Sequence, residues 1–217
     1  KEDVVDGGVV AELKPGLELS LEEYAVLMMI ISDNTATDII CKIVGFDHIG
    51  KIVKEIGLKN TNITKNCNKI LRDFFDITET DAIEEILSKY SNYEFTLEVT
   101  NKDNVTCPED MVKVLSLIYN KKILNEKYCE KIIDIMSRCQ TNWRVPRFLP
   151  PTVKVAHKTG TIFGVVNDTG IVYTSKGNYI ISIYTNSNPN GQTLNFYGFD
   201  FIADISKKIY DKYIELK

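Results

Sequence analysis

The sequence predicts an α+β fold in which helices come first and an antiparallel sheet follows. Helical spacing and helix caps dominate residues 1–150. A cluster of prolines then ends helical structure, and the segments beyond it are rich in Val, Ile and Tyr, which favour strands. The last stretch has helical spacing again. We therefore expect one domain over residues 1–217, mainly helical at 1–150, with antiparallel strands and a flanking terminal helix at 151–217.

Two capping patterns and several glycines divide the helical part. Ser20-Leu21-Glu22-Glu23 has the form of a capping box, and Thr106-Cys107-Pro108-Glu109 repeats it with proline in the first turn. Between them, residues 58–105 form a long, partly irregular segment of the kind that often carries function. The predicted helices run from the Ser20 cap to Ile31, over Thr37–Val44, from an Asp47 cap to Ile56, over Glu79–Tyr90, from the Thr106 cap to Tyr119 and over Glu126–Met136.

The remaining part of the chain has the period and the turns of a sheet with one covering helix. Turn residues at Gly164 and Ser175-Lys176-Gly177 separate three segments that favour strands. These predicted strands are Val153–Lys158, Asn167–Thr174 and Asn178–Asn186. Asn195–Leu216 then reads as an amphipathic helix whose apolar stripe holds Phe199, Ile202, Ile205, Ile209 and Ile214.

Composition excludes several classes of function. Lys and Arg number 26 against 30 Asp and Glu, so a basic face for nucleic acid is not expected. The longest apolar runs, such as Tyr24–Ile31, are far shorter than the roughly 20 residues that span a bilayer, so no transmembrane segment is predicted. Five cysteines without a C-x-x-C pair and only two histidines predict neither disulfides nor a metal site, and no cofactor is expected.

Two tripeptides are candidates for chemistry. Ser32-Asp33-Asn34 follows the first helix, and Lys158-Thr159-Gly160 lies at the end of the first strand. Either one alone would be weak, because a given tripeptide occurs by chance in about 3% of chains this long. Together they are specific, since each belongs to a longer string: Ser32-Asp33-Asn34-Thr35-Ala36 after an apolar helix, and His157-Lys158-Thr159-Gly160-Thr161 before a hairpin into Asn167-Asp168-Thr169-Gly170-Ile171-Val172.

These strings resemble two of the three motifs of the penicillin-recognising serine hydrolases, and above all the catalytic domain of class A β-lactamases. The resemblance covers nearly the whole chain, because further matches occur at Pro15-Gly16-Leu17, Gly57-Leu58, Thr106-x-Pro108 and the terminal helix. It implies a three-layer α/β/α fold, a monomer, and a location outside the cytoplasmic membrane. The implied partner is a small-molecule β-lactam or a peptidoglycan peptide.

The resemblance also assigns catalytic roles. Acyl transfer needs a serine nucleophile, a proton path to the leaving nitrogen, and donors for the oxyanion. Ser32 resembles the serine that passes this proton, and Lys158 resembles the cation that lowers the cost of its developing charge.

Substrate-binding roles follow from the same resemblance. Asn34 would bind the acylamide side chain, Thr159 the carboxylate, and Gly160 would let substrate lie against the strand. The backbone N–H of Thr161 would form half of the oxyanion hole. Arg144, fourteen residues before Lys158, matches a carboxylate-binding arginine of some members, although a solvated loop charge is an equal alternative.

The chain departs from the family at the nucleophile. The third family motif is S-x-x-K, and no serine here has a lysine three positions later. The resemblance therefore places the nucleophilic serine before Lys1, and we expect an N-terminally incomplete domain that is catalytically silent by itself.

A second departure concerns the glutamate that activates the deacylating water in the family. Phe75 stands where that glutamate is expected. Asp76, Glu79, Glu94 and Glu98 are alternative candidates, and each could equally be a solvated surface charge.

Three other residues near the motifs have structural interpretations. On a strand, the side chain of His157 points to the face opposite Lys158, so we expect it to pack rather than act as a base. Trp143 and Arg147 either line a cleft or cover the edge of the sheet.

The sequence is compatible with three functions. The first is a serine hydrolase that opens β-lactam rings through an acyl-enzyme. The second is a penicillin-binding, D,D-peptidase-like acyltransferase acting on peptidoglycan peptides, which the missing glutamate favours. The third is a non-catalytic module of the same fold that binds a ligand or partner, which the missing nucleophile favours.

Overall fold

The computed structural model describes residues 5, 7–14, 16–75, 103–162, 165–186 and 196–216. A 3-10 turn at Val10–Glu12 precedes the first helix. The helices in the described residues are α1 (Leu21–Ile30), α2 (Asn34–Val44), α3 (Phe46–Glu55), α4 (Cys67–Phe75), α5 (Pro108–Tyr119), α6 (Glu126–Ser137) and α7 (Phe196–Leu216). The strands are β1 (Val155–Ile162), β2 (Val165–Val172) and β3 (Tyr179–Asn186).

The capping box predicted at the start of α1 is confirmed. The Ser20 hydroxyl accepts a hydrogen bond from the Glu23 N–H at 3.3 Å, and the Glu23 carboxylate accepts one from the Ser20 N–H at 2.6 Å. Two donors that a helix start leaves unpaired are thereby satisfied.

The predicted starts of the next two helices are wrong. Helix α2 begins at Asn34 rather than Thr37, because Asp33 Oδ1 accepts the Ala36 N–H at 2.8 Å and caps the helix. Asp47 does not cap α3 but lies in its first turn, and Gly45 is the preceding residue.

The cap predicted at Thr106 is also wrong. Cys107 is the N-cap of α5, without a side-chain cap, and Pro108 opens the helix. The Thr106 hydroxyl instead lies 2.8 Å from the Thr61 hydroxyl, which itself donates to Asp110 of α5. This contact ties the two ends of the irregular segment to the helical layer.

The three strands form an antiparallel sheet in the order β1-β2-β3, as predicted. Strand β1 continues past Lys158 to Ile162, because residues 159–162 pair with residues 165–168 of β2. The Lys158-Thr159-Gly160 motif therefore lies within a paired strand rather than at its end. In the described sheet β1 is an edge strand.

Helices cover both faces of the sheet, which confirms the three-layer α/β/α prediction. One apolar core lies between the sheet and α7 and contains Val145, Leu149, Val155, Val166, Val172, Ile181 and Ile202. The other lies between the sheet and α5 and α6 and contains Leu115, Ile118, Cys129, Met136, Ala156 and Ile171. On the predicted stripe of α7, Ile202 is fully buried while Ile209 is 41% exposed.

Several sequence predictions fall outside the described residues. These are the helix Glu79–Tyr90, the turn at Gly164, and the acids Asp76, Glu79, Glu94 and Glu98. Among the residues that are described, no helix combines the length and the apolar character needed to cross a membrane.

Candidate active site

Ser32 lies at the sharp junction between α1 and α2. Its φ of 60° falls in the left-handed region, which is uncommon for any residue other than glycine. Asp33 holds this junction in place, since its fully buried carboxylate accepts the N–H groups of Val9 and Val10 at 2.6 and 2.9 Å and also caps α2. Strained residues of this kind cluster at functional sites, where the surrounding contacts over-determine them.

Asn34 follows directly and begins α2. Its N–H donates to the Gly7 carbonyl at 3.2 Å, and the neighbouring Thr35 hydroxyl exchanges two 2.9 Å hydrogen bonds with the backbone of Val5. Residues 5 and 7–10 thus pack directly against the Ser32-Asp33-Asn34 motif and fix its backbone.

Lys158 meets Ser32 across 126 residues of sequence. Lys158 Nζ donates to Ser32 Oγ at 2.9 Å and to the Thr159 carbonyl at 2.6 Å. Burial, and then the positive charge of Arg144, hold the pKa of the Lys158 ammonium below its usual range against the opposing effect of Cys139. An ammonium whose pKa is lowered gives up its proton more readily than an exposed lysine does, and its partner here is a hydroxyl.

Alternate residues of β1 hydrogen-bond to β2, and the backbone groups of the residues between them point away from β2. The Tyr173 N–H donates to the Lys154 carbonyl at 3.0 Å, so residue 154 and every second residue after it exchange hydrogen bonds with β2. Thr159 and Thr161 belong to the alternate set. Their N–H and C=O groups therefore point away from β2, towards the edge of the described sheet. The Thr161 N–H has the direction that an oxyanion donor at this edge requires.

Thr159 and Gly160 differ in how much space surrounds them. The Thr159 side chain is buried, and its hydroxyl lies 2.7 Å from the Thr141 hydroxyl. Gly160 is exposed, and a Cβ built there would come no closer than 3.9 Å to any neighbour. The protein itself leaves the surface of β1 open at this point.

Arg144 is not the solvated loop charge that was one of the two expectations, because it is only 4% exposed. Its guanidinium donates to the Gly160 carbonyl at 2.9 Å, to the Asn167 carbonyl and to the Thr161 hydroxyl, and it lies over the Phe199 ring with 4.7 Å to the centroid. Arg144 therefore adds a fixed positive charge behind the end of β1.

His157 packs on the face of β1 opposite Lys158, as predicted, and it is 1% exposed. Its Nδ1 lies 2.9 Å from the Asp168 carboxylate, and its Nε2 lies 3.2 Å from the side-chain oxygen of Asn142. The Asn142 amide nitrogen donates to the Cys139 carbonyl, which fixes the orientation of this side chain. Both ring nitrogens therefore face acceptors, and this arrangement suits a doubly protonated imidazolium.

The charges around this imidazole shift two pKa values. Burial by itself would lower the pKa of His157, but Asp168 and Cys139 outweigh it and raise the pKa to about 9. For the Cys139 thiol the effects are reversed: burial by itself would raise its pKa, but His157 and hydrogen bonds with Thr141 lower the pKa to about 7. At neutral pH, a buried thiol that is partly ionised thus lies behind the Lys158-Thr159-Gly160 strand.

Sequence reasoning did not assign roles to Cys139, Thr141 or Asp168. Asp168 could have been found, because the predicted hairpin pairs its strand with that of His157 and brings opposite charges together. Cys139 and Thr141 carry no such signal, since they reach β1 through space from the segment after α6. Of the other candidates, Trp143 is 60% exposed and Arg147 pairs with Asp200 of α7.

A three-layer fold with Ser32 and Lys158 meeting at the edge of the sheet defines a β-lactamase-like domain. The chain belongs to the β-lactamase enzyme family, whose sequence model matches residues 1–213. A comparison with curated protein sequences found no significant match.

Solved structures of this family share the fold. The β-lactamase of Sphaerobacter thermophilus DSM 20745 superimposes with a TM-score of 0.76 at 23% identity, covering 98% of this chain and 70% of that one. PBP-A gives 0.76 at 25% identity, with 99% and 69% covered. A variant of the last common ancestor of Gram-negative class A β-lactamases gives 0.78 at 19% identity, with 100% and 73% covered.

Proposed function

We propose that the protein is a serine hydrolase that opens β-lactam rings through an acyl-enzyme. The observation that carries this proposal is the 2.9 Å contact between Lys158 Nζ and Ser32 Oγ. It joins two motifs of the family at one edge of the sheet, beside an open strand surface and a backbone N–H that points outward.

In the proposed reaction, the hydroxyl of a serine encoded before Lys1 attacks the carbonyl carbon of the ring, and the lysine of its S-x-x-K motif takes the hydroxyl proton. A C–O bond forms, the C–N bond breaks, and the leaving nitrogen takes a proton from Ser32, which regains one from Lys158. The lowered pKa of Lys158 favours this transfer, because the ammonium gives up its proton more readily than an exposed lysine does. Water later cleaves the ester, with Asp76, Glu79, Glu94 or Glu98 as the proposed base.

The same geometry supports the proposed substrate contacts. The Thr161 N–H would donate to the oxyanion, and the open surface at Gly160 would accept the ring. Thr159 would bind the carboxylate, and the buried Arg144 would add its positive charge. Asn34, which begins α2 beside Ser32, would bind the acylamide side chain.

A chromogenic cephalosporin tests this proposal on the gene product that includes the sequence before Lys1. We expect turnover, with a loss of at least a hundredfold in kcat for Ser32→Ala and none for Ser175→Ala, a serine in the exposed turn between β2 and β3. If an S-x-x-K serine is present and no turnover occurs, the hydrolase proposal is wrong.

A second candidate is a penicillin-binding acyltransferase of the D,D-peptidase type. PBP-A, at 25% identity, favours it, and a variant of PBP-A has been solved as an acyl-enzyme complex with penicillin G. Labelled penicillin distinguishes the two candidates: a long-lived adduct without turnover supports the acyltransferase, while rapid release supports the β-lactamase. If neither an adduct nor turnover is observed, the result supports a non-catalytic binding module. Either enzyme would work outside the cytoplasmic membrane, where cell wall and antibiotic are met.

A further inference from the structure

A chain of hydroxyl and thiol groups, buried at both ends, leads from the proposed carboxylate site into the protein. Thr159 Oγ1 lies 2.7 Å from Thr141 Oγ1, and Thr141 Oγ1 lies 3.1 Å from Cys139 Sγ. Thr159 is 7% exposed and Cys139 is 6% exposed. Thr141, which lies between them, is half-buried, and each contact is short enough to hold one hydrogen between its two atoms.

The direction of the hydrogens along this chain has two solutions. A hydroxyl has one hydrogen to donate, so each group that donates forward must accept from behind. When Cys139 is a thiol, it can donate to Thr141, which donates to Thr159, and the Thr159 hydrogen is left for a ligand. When Cys139 is a thiolate, Thr141 must donate to it, and Thr159 must then donate to Thr141.

Only one of these solutions suits a carboxylate ligand. A carboxylate has no hydrogen, so Thr159 can bind it only by donating. With the chain reversed, Thr159 presents lone pairs to the ligand, and two acceptors face each other.

We propose that Cys139 and Thr141 are positioning residues that set the direction of the Thr159 hydroxyl. Thr159 then binds a substrate carboxylate when Cys139 is a thiol and does not bind it when Cys139 is a thiolate. This inference rests on the proposed function in taking the ligand to carry a carboxylate that Thr159 binds. It assigns roles to two residues that lie outside both family motifs.

Charged groups from three elements surround the thiol. His157 and Lys158 lie on β1, Asp168 lies on β2, and Arg144 lies in the segment between α6 and β1. Next to Cys139 in the chain, the exposed Arg138 pairs with Asp134 of α6. Because the pKa of Cys139 is about 7, the direction of the chain changes within the range in which the protein can be assayed.

The kinetic test compares pH 6 with pH 8.5 for a carboxylate-bearing cephalosporin. The protonated fraction of a thiol with a pKa near 7 falls about 30-fold over this interval, so we expect kcat/KM to fall about tenfold, mainly through KM. Cys139→Ser keeps a donor of similar size that does not ionise, and this variant should lose the fall. Cys107→Ser, a control outside the network, should retain it.

Thr141→Val provides a second variant, because it breaks the chain and leaves the Thr159 hydrogen free at every pH. Its kcat/KM should therefore also lack the fall. A fall that persists unchanged in Cys139→Ser and in Thr141→Val would come from another group and would overturn the proposal.

The reciprocal measurement needs no turnover. Carboxylate binding must raise the pKa of Cys139 if the thiol form binds better. Thiolate absorbance near 240 nm, taken as the difference between the protein and Cys139→Ser, should titrate near pH 7 and shift upward with ring-opened benzylpenicillin. A titration that the ligand does not move, although the ligand binds, contradicts the inference. Absence of β-lactam reaction at every pH contradicts the proposed function instead.

Discussion

The space around Gly160 shows whether the fold itself or a bound ligand would require glycine at this position. A Cβ at this position meets nothing closer than 3.9 Å, and the backbone φ lies outside the left-handed region. Nothing in the described protein therefore requires glycine here. Under the proposed function, an occupant of the open strand surface would require it, because a side chain would fill the space that a substrate ring needs against β1.

Gly160→Ala should separate stability from reaction. We expect the free energy of unfolding to stay within about 0.5 kcal/mol of that of the unmodified protein, because the new methyl group meets open space. The rate of acylation by penicillin should fall at least tenfold. Urea unfolding and labelled penicillin measure the two quantities on the same preparations. Unchanged acylation would show that substrate does not lie against Gly160.

The site residues that can be predicted from the sequence are those that lie within contiguous motifs. Ser32 and Lys158 stand in strings whose order and setting could be read along the chain, and the structure brings them together. Cys139 and Thr141 could not be found in this way, because their contacts with β1 depend on how the segment after α6 packs. The burial of Arg144 has the same origin, since its partners are backbone carbonyls of two strands.

The predicted helix boundaries are wrong where a helix start depends on contacts with residues distant in the sequence. Helix α4 was not predicted, and its first N–H groups are bound by Asp38 of α2, at 2.6 Å for Cys67 and 3.0 Å for Asn68. The early start of α2 depends on Asp33, which also holds residues 9 and 10. By contrast, the capping box of α1 and the three strands depend on local patterns, and they were predicted.

The contact between the N-terminal segment and α2 can be tested at Gly8. A Cβ at Gly8 would lie 2.3 Å from Asp33 Oδ2, and that carboxylate cannot move without releasing its backbone donors. Gly8→Ala should therefore lower the free energy of unfolding by about 1–3 kcal/mol. Gly50→Ala, inside α3 with nothing within 4 Å, should raise it by about 0.5–1 kcal/mol. Equal urea midpoints for the two variants would contradict this role for Gly8.

The layered fold buries ionisable groups between the sheet and the segment that joins α6 to β1. His157 and Asp168 are 1% and 0% exposed, and Cys139 is 6% exposed. Buried charges of this kind are tolerated because they are paired. Their pairing also makes the stability of the fold depend on how protons are distributed between His157 and Cys139.

The contributions of these two groups to stability have opposite slopes with pH. The pKa of His157 is raised from 6.5 to about 9, so its stabilising contribution is fully present below pH 6.5 and is lost as the pH rises through 9. The pKa of Cys139 is lowered from 9.0 to about 7, so its contribution is present above pH 9 and is lost as the pH falls through 7. Between pH 7 and 9 folding moves a proton from the thiol to the imidazole without changing the number bound.

The free energy of unfolding should therefore change little between pH 7 and 9 on account of this pair. Cys139→Ser removes the rising contribution and leaves the falling one, because Asp168 still raises the pKa of His157. In that variant the free energy of unfolding should fall by about 1 kcal/mol or more over the same interval, relative to the unmodified protein. Urea unfolding at pH 6, 7.5 and 9 measures both slopes, and their difference cancels the titration of all other groups. Parallel slopes would mean that the imidazole and the thiol do not share a proton in the folded protein.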